Sequence, residues 1–236
     1  MGISSSISRF AGYYRRHGFV KTVERFGQSI KRSLFANRMV VFYCDLAGQQ
    51  APPPALHDSL KILRLTNQAE FRPLDLEAMT GIWNPELAQK NIAERFGLGA
   101  SLWLVLSAGH LAGFGWSLQG RTVEPYFFPL GREDVHLFDF HVFPQFRGQG
   151  LNPVLVTHIL HTLSSASRGR AFIEAAEWNK AQLSSLRKTP FRQLGLVRSF
   201  SLPGRTCVSW AEGVVTKGSQ EALEHRDQSQ TVGSNE

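Results

Sequence analysis

The 236-residue chain predicts an α/β fold, one domain of alternating strands and helices around a single sheet, with added segments at both ends. Three observations predict it. From residue 61 onward, short runs rich in β-branched and aromatic residues alternate with stretches whose apolar residues recur at helical spacing. The strongest strand pattern, 136–143, meets the strongest helical pattern, 150–163, across a turn that holds Gly148 and Gly150. The composition, 42% apolar and 19% charged, is that of a soluble globular protein able to bury a core.

Taken in order, residues 1–38 place Ile3, Ile7, Phe10, Tyr14, Phe19, Val23, Phe26, Ile30 and Leu34 at steps of three to five, which predicts an amphipathic helix interrupted near Gly18. Residues 39–46 read as a short strand, and 49–54, with three consecutive prolines, as a linker. A strand comes next at 61–66, then two helices at 75–83 and 85–96, the second opening on Pro85, which suits a first helical turn. Runs 102–106 and 111–117 flank Ser107-Ala108-Gly109-His110 as a hairpin. Residues 121–133 are irregular and aromatic, with Tyr126, Phe127 and Phe128 between prolines. Beyond the glycine turn come a strand at 171–176, a helical stretch at 180–194 broken by Pro190, and strands at 197–202 and 206–210 around Pro203-Gly204. The expected organisation is a basic extension (1–48), a proline-rich linker (49–60), a folded domain (61–212) and a polar, disordered tail (213–236).

The net charge of +7 is concentrated. Residues 1–38 carry eight basic residues against Glu24 alone, and the remainder balances at eighteen of each sign. The two cysteines, Cys44 and Cys207, exclude a disulfide framework and have no neighbours at metal-ligand spacing, so no metal is expected. No secretory signal fits the N-terminus, and the longest apolar region, 100–116, is too short and broken to span a bilayer. The expected location is cytoplasmic.

A glycine turn between strand and helix frees backbone N–H groups to converge on a phosphate, and the helix dipole adds partial positive charge. The turn here lacks the Lys-Ser/Thr of a nucleotide P-loop and the glycine order of a dinucleotide fold. Its wording, Val142-x-Pro144-x-x-Arg147-Gly148-Gln149-Gly150-Leu151 with Gln145-x-x-Gly148-x-Gly150 at its centre, resembles the acetyl-coenzyme A motif of the GNAT superfamily of N-acetyltransferases. The 102–117 hairpin, Glu177-Trp178-Asn179 after a strand, and Gly195-Leu196 are similar to further landmarks of that superfamily, and the resemblance covers about 61–210. It implies a mixed, mostly antiparallel central sheet with splayed fourth and fifth strands and flanking helices. It further implies acetyl-coenzyme A as cosubstrate. Arg147, Gly148, Gln149, Gly150, Leu151 and Asn152 would hold its pyrophosphate. The strand edge at Phe140, His141 and Val142 would pair with pantetheine and offer an oxyanion donor, and Asn179 would either orient pantetheine or cap the strand end.

Amine attack on a thioester needs a base. The resemblance puts His136, six residues before Val142, where several family members carry a His or Glu; Glu174 on the next strand is a second candidate and Glu177 a weaker one. Strict alternation groups His136, Phe138, Phe140 and Val142 on one face and Leu137, Asp139, His141 and Phe143 on the other. Asp139 and His141 then form an i, i+2 pair, expected to be buried, hydrogen-bonded and structural rather than a relay or substrate-orienting pair. Where the family often has a Tyr acid, the aligned ring is Phe191, which leaves the general acid open: Tyr126 of the aromatic loop could fold in, the thiolate could leave unassisted or take a proton from water, or the chemistry has been lost.

Partners are less legible. The acceptor is expected to be a small-molecule amine, an amino sugar or a peptide amine, in a site lined by the 121–133 loop, Trp83, Trp116 and the first helices. Residues 1–38 either pack on the domain, which the strand at 39–46 favours, or touch the inner face of a membrane peripherally. Nucleic acid is not expected, because the core is neutral and no groove-reading motif is present. The expected activity is transfer of acetyl from acetyl-coenzyme A to an amine by direct attack in a ternary complex; the alternative is a silent coenzyme A sensor or membrane-associated scaffold of the same fold.

Overall fold

The computed structural model describes residues 38–47, 56–82, 84–124, 126–165, 168–202 and 205–211. The expected N-terminal helix up to residue 37, the prolines of 49–54, Trp83 and the 213–236 tail lie outside the described residues. The elements are β1 (Arg38–Asp45), β2 (Leu60–Leu65), α1 (Pro73–Thr80), α2 (Pro85–Gly97), β3 (Ser101–Ser107), β4 (His110–Gln119), β5 (Val135–Val142), α3 (Leu151–Ser164), β6 (Arg170–Ala176), α4 (Lys180–Leu186), β7 (Arg192–Leu202) and β8 (Arg205–Trp210). They form one eight-stranded sheet in the order β2-β3-β4-β5-β6-β1-β7-β8. Neighbours are antiparallel except β5 and β6, as the resemblance implies.

Local chemistry explains the elements. The β3–β4 hairpin turns on Ala108 and Gly109, both at positive φ, which matches the right-handed twist of the flanking strands. Pro85 opens α2, and the Asn84 side chain caps it by accepting from the Leu87 N–H at 3.0 Å. α3 buries the stripe Leu151, Leu155, Val156, Ile159, Leu160 and Leu163, the spacing of a helix lying on a sheet. Among the described residues no helix is long and apolar enough to cross a membrane.

Both faces of the sheet are covered. α3 and α4 pack with β1, β5 and β6 on one face, around Phe42, Leu137 and Ile173. α1 and α2 cover β2–β5 on the other face, around Phe114, Trp116 and Phe138. The rest of that second face, over Val41, Tyr43, Phe172 and Val197, is closed by Tyr126, Phe127 and Phe128 of the aromatic loop.

Three features differ from the sequence reading. The strand at 39–46 is interior: Val40, Phe42 and Cys44 face one layer and Val41 and Tyr43 the other, between β6 and β7. Its apolar run fits a strand buried on both faces, but sequence order does not reveal where it inserts. The helix expected to reach residue 194 ends at Leu186, and β7 starts at Arg192 because Tyr43 on β1 pairs there. Pro190 marks the break, and long-range pairing with β1 draws the residues after it into the sheet. Finally, β5 does not alternate strictly. Phe114 pairs with His141 but Trp116 with Phe138, so an extra residue on β5 bulges opposite Gly115, and Asp139 takes φ 50°.

Candidate active site

The bulge builds the site. Val135 and Leu137 face α3, and His136 and Phe138 the other layer; past Asp139 the assignment inverts, so Phe140 and Val142 pack toward the α3 side and Phe143 toward α1 and α2. The even-numbered face expected from His136 to Val142 is therefore broken. Gly115 accommodates the change, because the Phe140 ring occupies the space where a Cβ would sit. β5 and β6 pair at only two positions, Val135 with Ala171 and His136 with Phe172. Asp134 fastens this closed end: its carboxylate accepts from the Arg170 N–H at 3.1 Å and the Gly131 N–H at 2.7 Å. Beyond His136 the pairing of β5 with β6 stops.

Two adjoining spaces lie at the gap. A groove of about 550 Å³ runs along the open edge to the start of α3, lined by Phe140, His141, Val142, Arg147, Gly148, Gly150, Leu151, Asn152 and Asn179. These are the expected cofactor-binding residues except Gln149, which does not line it. α4 and the turn after it supply a second wall with Gln182, Ser185 and Lys188, residues that strand-and-turn reasoning missed; the polar face of the 180–186 helical pattern is the signal that points to the first two. A smaller cavity of about 260 Å³ adjoins it, sharing Phe140 and Gln182 and reaching Met39, Asp139 and Glu174.

The groove's end fits a pyrophosphate. Gly148 and Gly150 hold φ 80° and 72°, and a Cβ on either would meet nothing within 4 Å. Gly150 precedes α3 with no side-chain cap, and among the described residues the N–H groups from Gly148 to Asn152 donate to no backbone carbonyl. These five donors, the helix dipole and the Arg147 and Lys188 cations suit an anion. Arg147 also steadies the turn, with Nε donating to the Val142 carbonyl at 3.1 Å. Asn179 both caps α4, accepting from the Gln182 N–H at 3.2 Å, and lines the groove. Burial, helped by the Arg147 charge, lowers the His141 pKa below 6.5.

The catalytic candidates meet across the sheet. His136 Nε2 lies 3.0 Å from Glu174 Oε2. His136 is 6% exposed and lines neither space, whereas the Glu174 side chain, 20% exposed, faces the smaller cavity. His136 Nδ1 is buried without a partner, so a proton there would be an unsatisfied donor; the proton is assigned to Nε2, which donates to the carboxylate. The Tyr126 ring sits 4.8 Å from that of His136, and Phe138 stacks on the imidazole at 5.2 Å. The Tyr126 hydroxyl is buried without a well-aligned partner, and burial together with the nearby Glu174 carboxylate pushes its pKa well up. Tyr126 lines neither space, so it is not placed to protonate a leaving thiolate.

Other expectations are corrected. Asp139 and His141 are not a buried pair: Asp139 is exposed at the bulge and ion-paired with Arg95, while His141 stacks on Phe114 with centroids 5.6 Å apart. Trp116 is fully buried between Phe96 and Phe138, so it does not line an acceptor site. Phe191 is a core residue. Glu177 is ion-paired with Arg38 at 3.0 Å. Among the described residues no three His, Cys, Asp or Glu converge as metal ligands do.

The chain resembles several solved structures. A putative acetyltransferase of the GNAT family from Novosphingobium aromaticivorans is 13% identical, with 68% of this chain and 61% of that one covered and a TM-score of 0.45. A GCN5-related N-acetyltransferase from Sphaerobacter thermophilus is 14% identical, with 67% and 49% covered and a TM-score of 0.46. For an IAA acetyltransferase from Bacillus cereus the values are 17%, 61%, 79% and 0.42. The chain thus spans less than two thirds of the first two. No curated protein sequence matches it significantly. The family model described as the acetyltransferase (GNAT) family matches residues 69–188, just over half of the chain and every residue lining the groove from Phe140 to Lys188. The chain belongs to the GNAT acetyltransferase family.

Proposed function

We propose that the protein is an acetyl-coenzyme A-dependent N-acetyltransferase acting on an amine by direct attack in a ternary complex. One observation carries this reading: a groove ending in five N–H groups that donate to no backbone carbonyl among the described residues runs beside β5 and adjoins a cavity lined by a carboxylate. Backbone N–H groups from Gly148 to Asn152 hold the pyrophosphate, with Arg147 and Lys188 as cations. The β6-facing edge of β5 at Phe140–Val142 accepts the pantetheine amides and offers an N–H to the carbonyl oxygen as it gains charge. When bound, acetyl-coenzyme A supplies a thioester whose carbon–sulfur bond breaks as the amine nitrogen bonds to the acetyl carbon, the electron pair leaving on sulfur.

Glu174 takes the proton that the amine sheds. His136 is a positioning residue: its Nε2–H fixes one carboxylate oxygen, while Phe138 and Tyr126 fix the imidazole. Calorimetric titration with coenzyme A, then thiol release with a panel of amines, tests the reading. Binding with turnover supports it. Binding without turnover favours a coenzyme A sensor, and absence of binding sinks both.

A further inference from the structure

The smaller cavity carries information about the acceptor, on the premise that the acetyltransferase reading holds. Met39, Phe138, Phe140 and Ile173 give it apolar walls, and Asp139 and Glu174 are the charged residues facing it. Among the described residues no Lys or Arg lines it. Arg95 engages Asp139 Oδ2, leaving Oδ1 without a hydrogen bond among the described residues. Arg95 is itself folded over the Trp116 and Phe138 rings, 5.2 and 5.5 Å from their centroids, so its charge is directed at those rings and at Asp139. The volume, about 260 Å³, equals roughly nine waters, enough for one ring with a short arm. Sugar hydroxyls would find few partners on these walls, and an anionic acceptor would meet two carboxylates.

Met39 makes the cavity specific to this chain's topology. It pairs with Ala176 at the end of β6 because β1 runs between β6 and β7. The N-terminal strand therefore furnishes a wall of the site as well as a piece of the core.

We propose that the cavity takes a primary amine on a compact apolar skeleton, held as its ammonium between Asp139 and Glu174, with Met39 of β1 limiting its length. Loss of one ammonium proton to Glu174 frees the nitrogen lone pair, the second nitrogen proton passes to the departing thiolate sulfur as the amide forms, and Asp139 keeps the amine in place. The test uses the full chain, coenzyme A calorimetry, and thiol release with 2-phenylethylamine, methylamine, glucosamine and a tetraglutamate peptide. The expected result is a kcat/KM for 2-phenylethylamine at least tenfold above those for glucosamine and the peptide. Asp139→Asn, a residue that tolerates positive φ, should raise KM for 2-phenylethylamine about tenfold with coenzyme A affinity unchanged. Met39→Trp should raise it for 2-phenylethylamine far more than for methylamine. If coenzyme A binds but glucosamine or the peptide is preferred, the proposal is overturned while the acetyltransferase reading stands. Coenzyme A binding with no turnover of 2-phenylethylamine, or an unchanged KM in Asp139→Asn, overturns it too. Absence of coenzyme A binding overturns both.

Discussion

Gly115→Ala tests whether Phe140 sets the passage between groove and cavity. An added Cβ would lie 2.4, 2.5 and 2.7 Å from three atoms of the Phe140 ring. Ordinary carbon contacts are about 3.5–4.0 Å, so the ring must retreat by about 1 Å. It is half-buried and lines both spaces, so it moves into them. Overpacking costs about 1–3 kcal/mol, and a ring with somewhere to go should cost about 1, or about 2–4 °C in Tm. A 1 Å misplacement at a reacting centre can cost about a hundredfold, so kcat/KM should fall about tenfold to a hundredfold. Gly113→Ala, two residues earlier on β4, is the contrast. Its Cβ would meet the His141 backbone oxygen at 2.7 Å and Val105 Cγ1 at 3.3 Å, with backbone that cannot swing aside. It should cost about 2–3 kcal/mol and a correspondingly larger drop in Tm. Thermal melts and steady-state thiol release on both variants decide the matter. If Gly115→Ala loses as much Tm as Gly113→Ala yet keeps its kcat/KM, Phe140 does not control the passage.

The same geometry sets three more outcomes. Gly148→Glu should abolish coenzyme A binding by calorimetry, since it adds a carboxylate to the phosphate cradle; the positive φ costs about 1–2 kcal/mol, so the fold should survive with a Tm a few degrees lower. Glu174→Gln should lower kcat about 10²–10⁴-fold with coenzyme A affinity intact, and an undiminished kcat would remove Glu174 as the base. The imidazoles of His141 and His158 both titrate below 6.5, chiefly through burial, so the unfolded chain binds protons more readily between their folded values and 6.5. Stability should therefore rise with pH through that window and level off above it, and His141→Phe should flatten part of the rise in Tm.

Much of the site was legible because its chemistry is local. The glycine turn, the strand before it and the helix after it are consecutive, so Arg147, Gly148, Gly150 and Asn152 could be placed from their order. The meeting of His136 and Glu174 was only half legible: each was a candidate alone, but their 3.0 Å contact depends on the parallel register of β5 and β6. The bulge was hidden because alternation reads faces from parity, and nothing within 136–143 marks Asp139 as a residue at positive φ; its clue is Gly115 on the partner strand. The α4 wall was obscured for another reason. Helical periodicity continues past Leu186, and only long-range pairing with β1 makes 192–202 a strand.

The interior position of β1 changes what an N-terminal truncation would measure. A chain starting at residue 61 removes the basic segment and, with it, a strand hydrogen-bonded on both sides. Val40, Val41 and Phe42 are buried to 7%, 0% and 2% exposure. At about 1.5–3 kcal/mol each, their loss alone amounts to about 5–9 kcal/mol, comparable to the whole stability of an ordinary domain. The β6 and β7 edges would also be left unpaired in the middle of the sheet. A chain starting at residue 61 should therefore show no cooperative melt, whereas a chain starting at Arg38 keeps β1. Only the second deletion isolates the seven basic residues upstream, so it is the one to compare in vesicle flotation. A cooperative melt of the shorter chain at the parent Tm would show that β1 is dispensable and would remove Met39 from the wall of the cavity.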